Sequence, residues 1–354
     1  MKSHISIGLI GLGGMANHHM YLLSQLENVS VGAISDVNKE QLQTVGDKLD
    51  IPLHKRYEDY EELIRDSEVD AVISIVPNIL HARIISSCIE HQKPIMTEKP
   101  FTLNFEEAKD LKSLYEKQPI PCMVGFSYRY VSAFRYAKKL LHQNTIGKLR
   151  HISVRYLQDW GIPAVETPLT WRFKKALSGT GALGDLGSHM IDAARFFAGE
   201  FKQVRSLNTT FVKERASIDQ PSQLEEVDVD DYSAFIAQLD HDIVGQFMTT
   251  RNAVGFSNAL EVTLFGEEGT MELSCERPDE INLVQFNHEQ KTREKTTVEV
   301  PVTYRRNQLE DFIDLIKGNS QEDCPNFYDG YENQKVLHEI IESAKMFNER
   351  EAIK

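Results

Sequence analysis

The stretch PIMTEKPF, residues 94–101, sets an acid and an amine, Glu98 and Lys99, side by side at the end of a short apolar run and closes them with Pro100. A lysine in that place can hydrogen-bond a substrate oxygen and stabilise negative charge developing on it. Proline has no backbone N–H and a fixed φ, so it ends a strand and disfavours a helical conformation for Lys99, which keeps the pair outside the ladder. Alone, the two residues would serve equally well as an exposed ion pair capping a strand. A second pair, Asp185 and His189, stands in GALGDLGSHMID, residues 181–192. If residues 185–198 are helical, the four-residue spacing puts both on one face, offset from the apolar stripe Leu186, Met190, Ala194 and Phe197. A carboxylate that orients an imidazole fixes its tautomer and raises its basicity, which suits removal of an alcohol proton near neutral pH. Two ligands fall short of the three protein ligands usual at catalytic zinc, so no metal is expected.

A third feature precedes both. IGLIGLGGMA, residues 7–16, places Gly11, Gly13 and Ala16 as G-x-G-x-x-A directly after an expected strand and at the start of an expected helix. Glycines there permit a tight turn and close approach to a pyrophosphate, whose charge the helix N-terminus meets. Such turns also end strands for purely structural reasons. Asp36, at the end of the second expected strand, supplies the acid that accepts from ribose hydroxyls and repels a 2′-phosphate, so the cofactor expected is NAD in preference to NADP.

These residues need elements to position them. Over the first 125 residues, apolar β-rich runs at Ile5–Ile10, Val29–Ser35, Val69–Val76, Pro94–Thr97 and Ile120–Gly125 alternate with helix-period segments, the pattern of a doubly wound parallel sheet. The helix expected over Asn104–Lys117 begins on an N-capping asparagine with Glu106 and Glu107 in its first turn. Beyond residue 125 the texture changes to a helix over Ser132–His142, an alternating strand over His151–Gln158, and a loop holding Trp160 and Trp171. From Gln203 to about Gln285 come long strands joined by turns, such as Asp231–Leu239 and Ile243–Arg251 about the tip Asp240-His241-Asp242, which predict a large, mostly antiparallel open sheet. The acidic segment Lys213–Asp230 reads as a solvated surface loop. Helices over Arg306–Lys317 and Tyr331–Glu349 close the chain. The fold class expected is α/β plus α+β: a dinucleotide-binding domain over residues 1–125, then a substrate-binding and oligomerisation domain over 126–354 whose last helices could pack back on the first.

Bulk properties narrow the partners. A chain of 354 residues suggests about two domains, and a net charge of −14 argues against nucleic acid or an anionic membrane as partner. Cys88, Cys122, Cys275 and Cys324 show no metal-ligand spacing and read as reduced thiols. No signal peptide and no run of about 20 apolar residues is evident, so a soluble cytoplasmic protein is expected.

Taken as a set, VDAVISIVPNILH (69–81), TEKP (97–100), GFSYRY (125–130) and GALGDLGSHMID behind the glycine turn resemble the Gfo/Idh/MocA family of NAD(P)-dependent oxidoreductases over nearly the whole chain. WRFKKALSGTGALGDLGSH further looks like the branch of levoglucosan dehydrogenase-like sugar dehydrogenases. The resemblance puts Lys99 beside nicotinamide and substrate, and Asp185 and His189 on the substrate side. It implies a cofactor site of Gly11, Gly13, Gly14, Met15, Ala16, Asp36, Val76, Pro77, Asn78, His81, Glu98 and Lys99, in which His81 could equally be a local hydrogen-bonder. Tyr128, Arg129, Trp171 and Arg172 are candidate substrate contacts, since aromatic faces and planar donors suit polyhydroxylated rings; Trp171 could instead be loop packing. Thr180, where the family often has glycine, and Ser127, in place of a common asparagine, depart from the pattern. The implied activity is hydride transfer between a sugar or cyclic polyol hydroxyl and NAD in a homodimer or homotetramer. A ketone or aldehyde reductase, an aldose-coupled oxidoreductase with tightly held nucleotide, and a non-catalytic dinucleotide and sugar sensor are the alternatives.

Overall fold

The computed structural model describes residues 4–319 and 322–348. The chain divides into two units: one runs to Gly125 and takes in Asn307–Gln334, the other comprises Phe126–Arg306 and continues from Lys335. Residues 307–334 therefore belong with the first unit and not with the 126–354 span. The reasons are local: Asn307 donates to the Leu22 carbonyl at 3.0 Å, and Phe327 stacks on Tyr115 at 3.9 Å and edge-on to Phe101 at 5.1 Å.

In the first unit, six parallel strands, β1 (Ile5–Ile10), β2 (Val29–Ser35), β3 (Arg56–Tyr57), β4 (Ala71–Ser74), β5 (Ile95–Thr97) and β6 (Cys122–Val124), lie in the order β3-β2-β1-β4-β5-β6. The order reverses at β1 and β4, the switch point beyond which ligands of open α/β sheets lie. Three expected strands are shorter than their apolar runs because the ladder stops where the chain turns away from it: β1 pairs with β4 only over Ala71–Ser74. The helix Phe105–Tyr115 is capped by Asn104, whose side chain accepts from the Glu107 amide at 3.0 Å, while Glu107 reaches back to the Leu103 amide at 3.0 Å. β3 escaped sequence reading because it is two residues long in a polar run.

The second unit is an eight-stranded sheet. Its strands are β7 (Leu149–Leu157), β8 (Phe201–Thr209), β11 (Tyr232–Leu239), β12 (Val244–Thr250), β13 (Ala259–Gly266), β14 (Gly269–Ser274), β15 (Glu280–Asn287) and β16 (Thr292–Glu299), ordered β16-β15-β14-β13-β7-β12-β11-β8. Its neighbours run antiparallel except for β7 and β12, which pair parallel. One face packs on the helices Ser132–His142 and Ser188–Ala198 and on Val336, Leu337 and Ile340 of the last helix, Phe327–Asn348. The opposite face shows Ile236, 59% exposed, and Val244, 54% exposed. Glu349, the expected end of the last helix, lies outside the described residues.

Lys213–Asp230 is a correction. The segment forms a hairpin, β9 (Glu214–Ala216) with β10 (Leu224–Glu226), and buries Arg215, Val227 and Val229. Asp230 then accepts from the amides of Gly181 at 2.8 Å and Leu183 at 2.7 Å, while its own carbonyl accepts from Ala182 at 3.0 Å. The acids that suggested a solvated loop include one that holds three buried backbone donors. A Cβ on Gly181 would lie 1.7 Å from the Asp230 carbonyl oxygen, so the contact requires glycine. Asp230→Ala should destabilise the protein by about 3 kcal/mol, since two buried amides lose their acceptor; urea unfolding would measure it, and a loss under about 1 kcal/mol would mean the amides find other partners.

Candidate active site

In the first unit the candidate residues begin at Gly11, which follows β1 with φ +87°. A Cβ there would lie 2.4 Å from the Ile75 carbonyl oxygen. Above Gly13 and Gly14 nothing lies within 4 Å of an added Cβ, so the backbone there is open to a ligand. The helix Ala16–Ser24 starts immediately afterwards, with Met15 at its N-cap position and Ala16 fully buried. Asp36 is fixed at the end of β2: its Oδ2 accepts from the Leu12 amide at 2.7 Å and its Oδ1 from the Asn38 amide at 2.8 Å. An open glycine turn, a helix start and a fixed carboxylate fit a dinucleotide.

Two predicted cofactor residues take supporting places. His81 is fully buried, with Nδ1 2.7 Å from the Pro100 carbonyl and Nε2 3.0 Å from that of Val76. Burial pulls its pKa down despite both carbonyls, so the neutral ring donates to one of them and ties the Val76–Pro77–Asn78 turn to the end of β5. It cannot also reach a ligand. Glu98 turns its carboxylate toward His19, which is fully buried on the helix Ala16–Ser24, at 2.8 Å. The other Glu98 oxygen accepts the Lys99 amide at 3.3 Å, and both lie 3.0 Å from where a Cβ of Gly125 would stand. Glu98 thus braces the backbone that carries Lys99. His19 was missed, although its place two turns after the glycines in a helix-period segment was the available signal. The Lys99–Pro100 peptide is cis.

In the second unit, sequence reading expected a helix from residue 185. The chain instead makes a π-turn over Leu183–Gly187 before the α-helix Ser188–Ala198, a departure frequent at functional sites. Asp185 Oδ2 accepts from Arg251 Nη2 at 2.9 Å. His189 is 6% exposed, with the Tyr128 ring edge-on at 4.7 Å and that of Tyr156 at 6.1 Å. The two phenol oxygens lie 2.6 Å apart, and Asn258 bonds both. Burial pushes both phenols above their ordinary range, so they remain donors at neutral pH. Gln158 extends the chain of bonds, donating to Asn258 at 2.8 Å and accepting from Trp160 Nε1 at 2.6 Å.

Tyr156, Gln158, Asn258 and Arg251 were missed in the sequence. Their signal was strand parity: because β7 and β12 run parallel, both C-terminal ends emerge at one edge of the sheet, where antiparallel β13 begins. The guanidinium of Arg129 is buried in a bidentate pair with Asp192, Nη2 to Oδ1 at 2.6 Å and Nε to Oδ2 at 2.9 Å, against Phe196. Trp171 and Arg172 are half-buried and stacked, the guanidinium carbon 4.5 Å from the ring centre.

A parallel sheet ending in a dinucleotide turn, joined to a sheet domain presenting an acid, an imidazole and hydroxyls, defines a dehydrogenase-type oxidoreductase. Residues 5–126 match the oxidoreductase family with NAD-binding Rossmann fold, and residues 134–272 match the GFO/IDH/MocA C-terminal domain. The chain belongs to the Gfo/Idh/MocA family. It is 28% identical to levoglucosan dehydrogenase of Pseudarthrobacter phenanthrenivorans over 96% of either chain, and 27% identical to glucose-6-phosphate 3-dehydrogenase of Bacillus subtilis over 95% of either. A solved structure of levoglucosan dehydrogenase in complex with NADH and levoglucosan superposes with a TM-score of 0.88 at 29% identity, covering 97% of this chain and 98% of that one.

Gly11→Ala should cost about 1–3 kcal/mol, because a side chain is forced into a left-handed backbone against a carbonyl. It should also weaken NADH binding, measured by nucleotide fluorescence. Unchanged melting and binding would show that the turn relaxes freely.

Proposed function

We propose that this chain is an NAD-dependent dehydrogenase that oxidises one secondary alcohol or hemiacetal carbon of a sugar or cyclic polyol. The observation that carries the reading is the second unit's cluster: a carboxylate held by a buried guanidinium, an imidazole four residues along, and a row of hydroxyl and amide groups suited to a polyhydroxylated ring. The activities named for its relatives, levoglucosan dehydrogenase, glucose-6-phosphate 3-dehydrogenase and the myo-inositol 2-dehydrogenase of Thermotoga maritima, 28% identical over 74% of this chain, support that substrate class.

The glycine turn, Asp36 and the Val76–Asn78 segment would hold NAD, which when bound supplies the hydride acceptor. Lys99 donates a hydrogen bond to the reacting oxygen and stabilises charge on it as the O–H bond breaks. His189 takes that proton, and Asp185 favours the resulting imidazolium. Tyr128, Gln158, Asn258, Trp171 and Arg172 orient the remaining hydroxyls. Asp36 carries a fixed negative charge at the end of β2, which supports NAD over NADP. The exposed apolar residues Ile236 and Val244 support self-association as a homodimer or homotetramer. Among the described residues no helix is long and apolar enough to cross a membrane. Cytoplasmic residence is the setting in which its four thiols stay reduced.

A screen of monosaccharides, inositols and anhydrosugars with NAD, followed by NADH absorbance, tests the reading; no turnover with any of them contradicts it. With the substrate so found, Lys99→Ala should lower kcat by about a hundredfold or more while NADH affinity stays within about twofold; near-normal turnover would remove Lys99 from the reaction. Asp36→Ser should raise the kcat/KM ratio of NADP to NAD by about tenfold or more, since a like-charge contact is removed. An unchanged ratio would place cofactor discrimination elsewhere.

A further inference from the structure

Arg251 has no part in the family resemblance drawn from the sequence, yet it occupies the centre of the second unit's buried charge. It is 1% exposed. Its Nη2 donates to Asp185 Oδ2 at 2.9 Å and to the Gly181 carbonyl at 3.1 Å, which grips the π-turn at its start and at its acid. The guanidinium carbon lies 4.8 Å from the centre of the Trp160 ring and 5.8 Å from that of Phe173. Planar stacking and the hydrogen bonds together restrict its rotation, and an arginine in a protein stays charged. Among the described residues, its Nε and Nη1 are buried and find no acceptor, so its charge is met chiefly through Asp185 and nearby Asp230.

We propose that Arg251 is a positioning residue that keeps the Asp185 carboxylate ionised and aimed, and through it sets the state in which His189 can accept a proton. The proposal rests on the role given to Asp185 and His189 above. A permanent cation at hydrogen-bond distance favours the charged form of a carboxylate, by about 1–3 pH units in comparable pairs. Asp185 also acts on the phenols of Tyr128 and Tyr156, which stay protonated and neutral at neutral pH, and His189 stands four residues along the chain. Arg251 itself faces Asp185, Asp230 and, across Phe173, the second buried guanidinium of Arg215, 4.2 Å from that ring. Arg215 is bound to the carbonyls of Thr167 and Gly161 and so is not available to replace Arg251.

The direct test is a carbon NMR titration of the Asp185 carboxyl in protein labelled at aspartate, with the resonance assigned by its loss in Asp185→Asn. In Arg251→Gln the carboxyl should titrate about one pH unit or more above its position in the unaltered protein, because loss of a cation raises a carboxylate pKa. The acid limb of kcat/KM, which reports His189, should also move to higher pH, since loss of the same cation favours the imidazolium, with NADH affinity unchanged within twofold. An unmoved titration overturns the proposal. Should Arg251→Gln not fold, Arg251→Lys decides: one ammonium cannot reproduce the fork, so kcat should fall about tenfold in the native background but less than twofold in Asp185→Asn. Equal losses in both backgrounds overturn the proposal while leaving the dehydrogenase reading intact. Full activity of Asp185→Asn alone would instead sink the reading of the site.

Discussion

Asp230 and Arg251 grip the same few residues from two directions, and the second unit's chemistry depends on that grip. The π-turn Leu183–Gly187 leaves backbone donors that an ordinary helix start would give to water or to a capping side chain. Here the turn is buried, so its amides must be paired inside the protein, and Asp230 accepts from Gly181 and Leu183. Arg251 bonds the Gly181 carbonyl and the Asp185 carboxylate. A buried guanidinium is costly unless its charge is met, and the partly exposed Asp185 carboxylate meets it. The result is an acid with a fixed direction, one helical turn ahead of an imidazole enclosed by aromatic rings.

The first unit solves a related problem with fewer charges. Where parallel strands end, amides and side chains emerge unpaired at one edge, and the chain there is short and turning. Three ties hold it: Asp36 accepts the Leu12 amide of the glycine turn, His81 bonds the turn after β4 to the end of β5, and His19 holds Glu98 behind Lys99. Each crosses from one strand end to a neighbouring segment. The lysine is thereby carried on backbone braced from both sides.

Much of this was legible in the sequence, and the limits have physical reasons. The parallel strands were readable because buried strands are continuous apolar runs, and Asn104 because a cap acts locally on the next turn. Lys99, Asp185 and His189 stood out as candidates because glycine and proline punctuate their neighbourhoods. Arg251 was not, since it meets Asp185 across 66 residues and only the pairing of β7 with β12 brings that strand end to the turn. The pairing of Arg129 was hidden for the same reason, since its partner Asp192 lies 63 residues away. The Lys213–Asp230 hairpin was misjudged because composition counts acids without showing which one is buried.

The central claim is that this chain removes hydrogen from a carbon bearing a hydroxyl and delivers it to NAD. Incubation with NAD and the active sugar or polyol deuterated at its carbinol carbons, followed by mass spectrometry of the reduced nucleotide, tests that most directly. One deuterium per nucleotide reduced is the predicted result. Reduced nucleotide carrying only solvent hydrogen would contradict it.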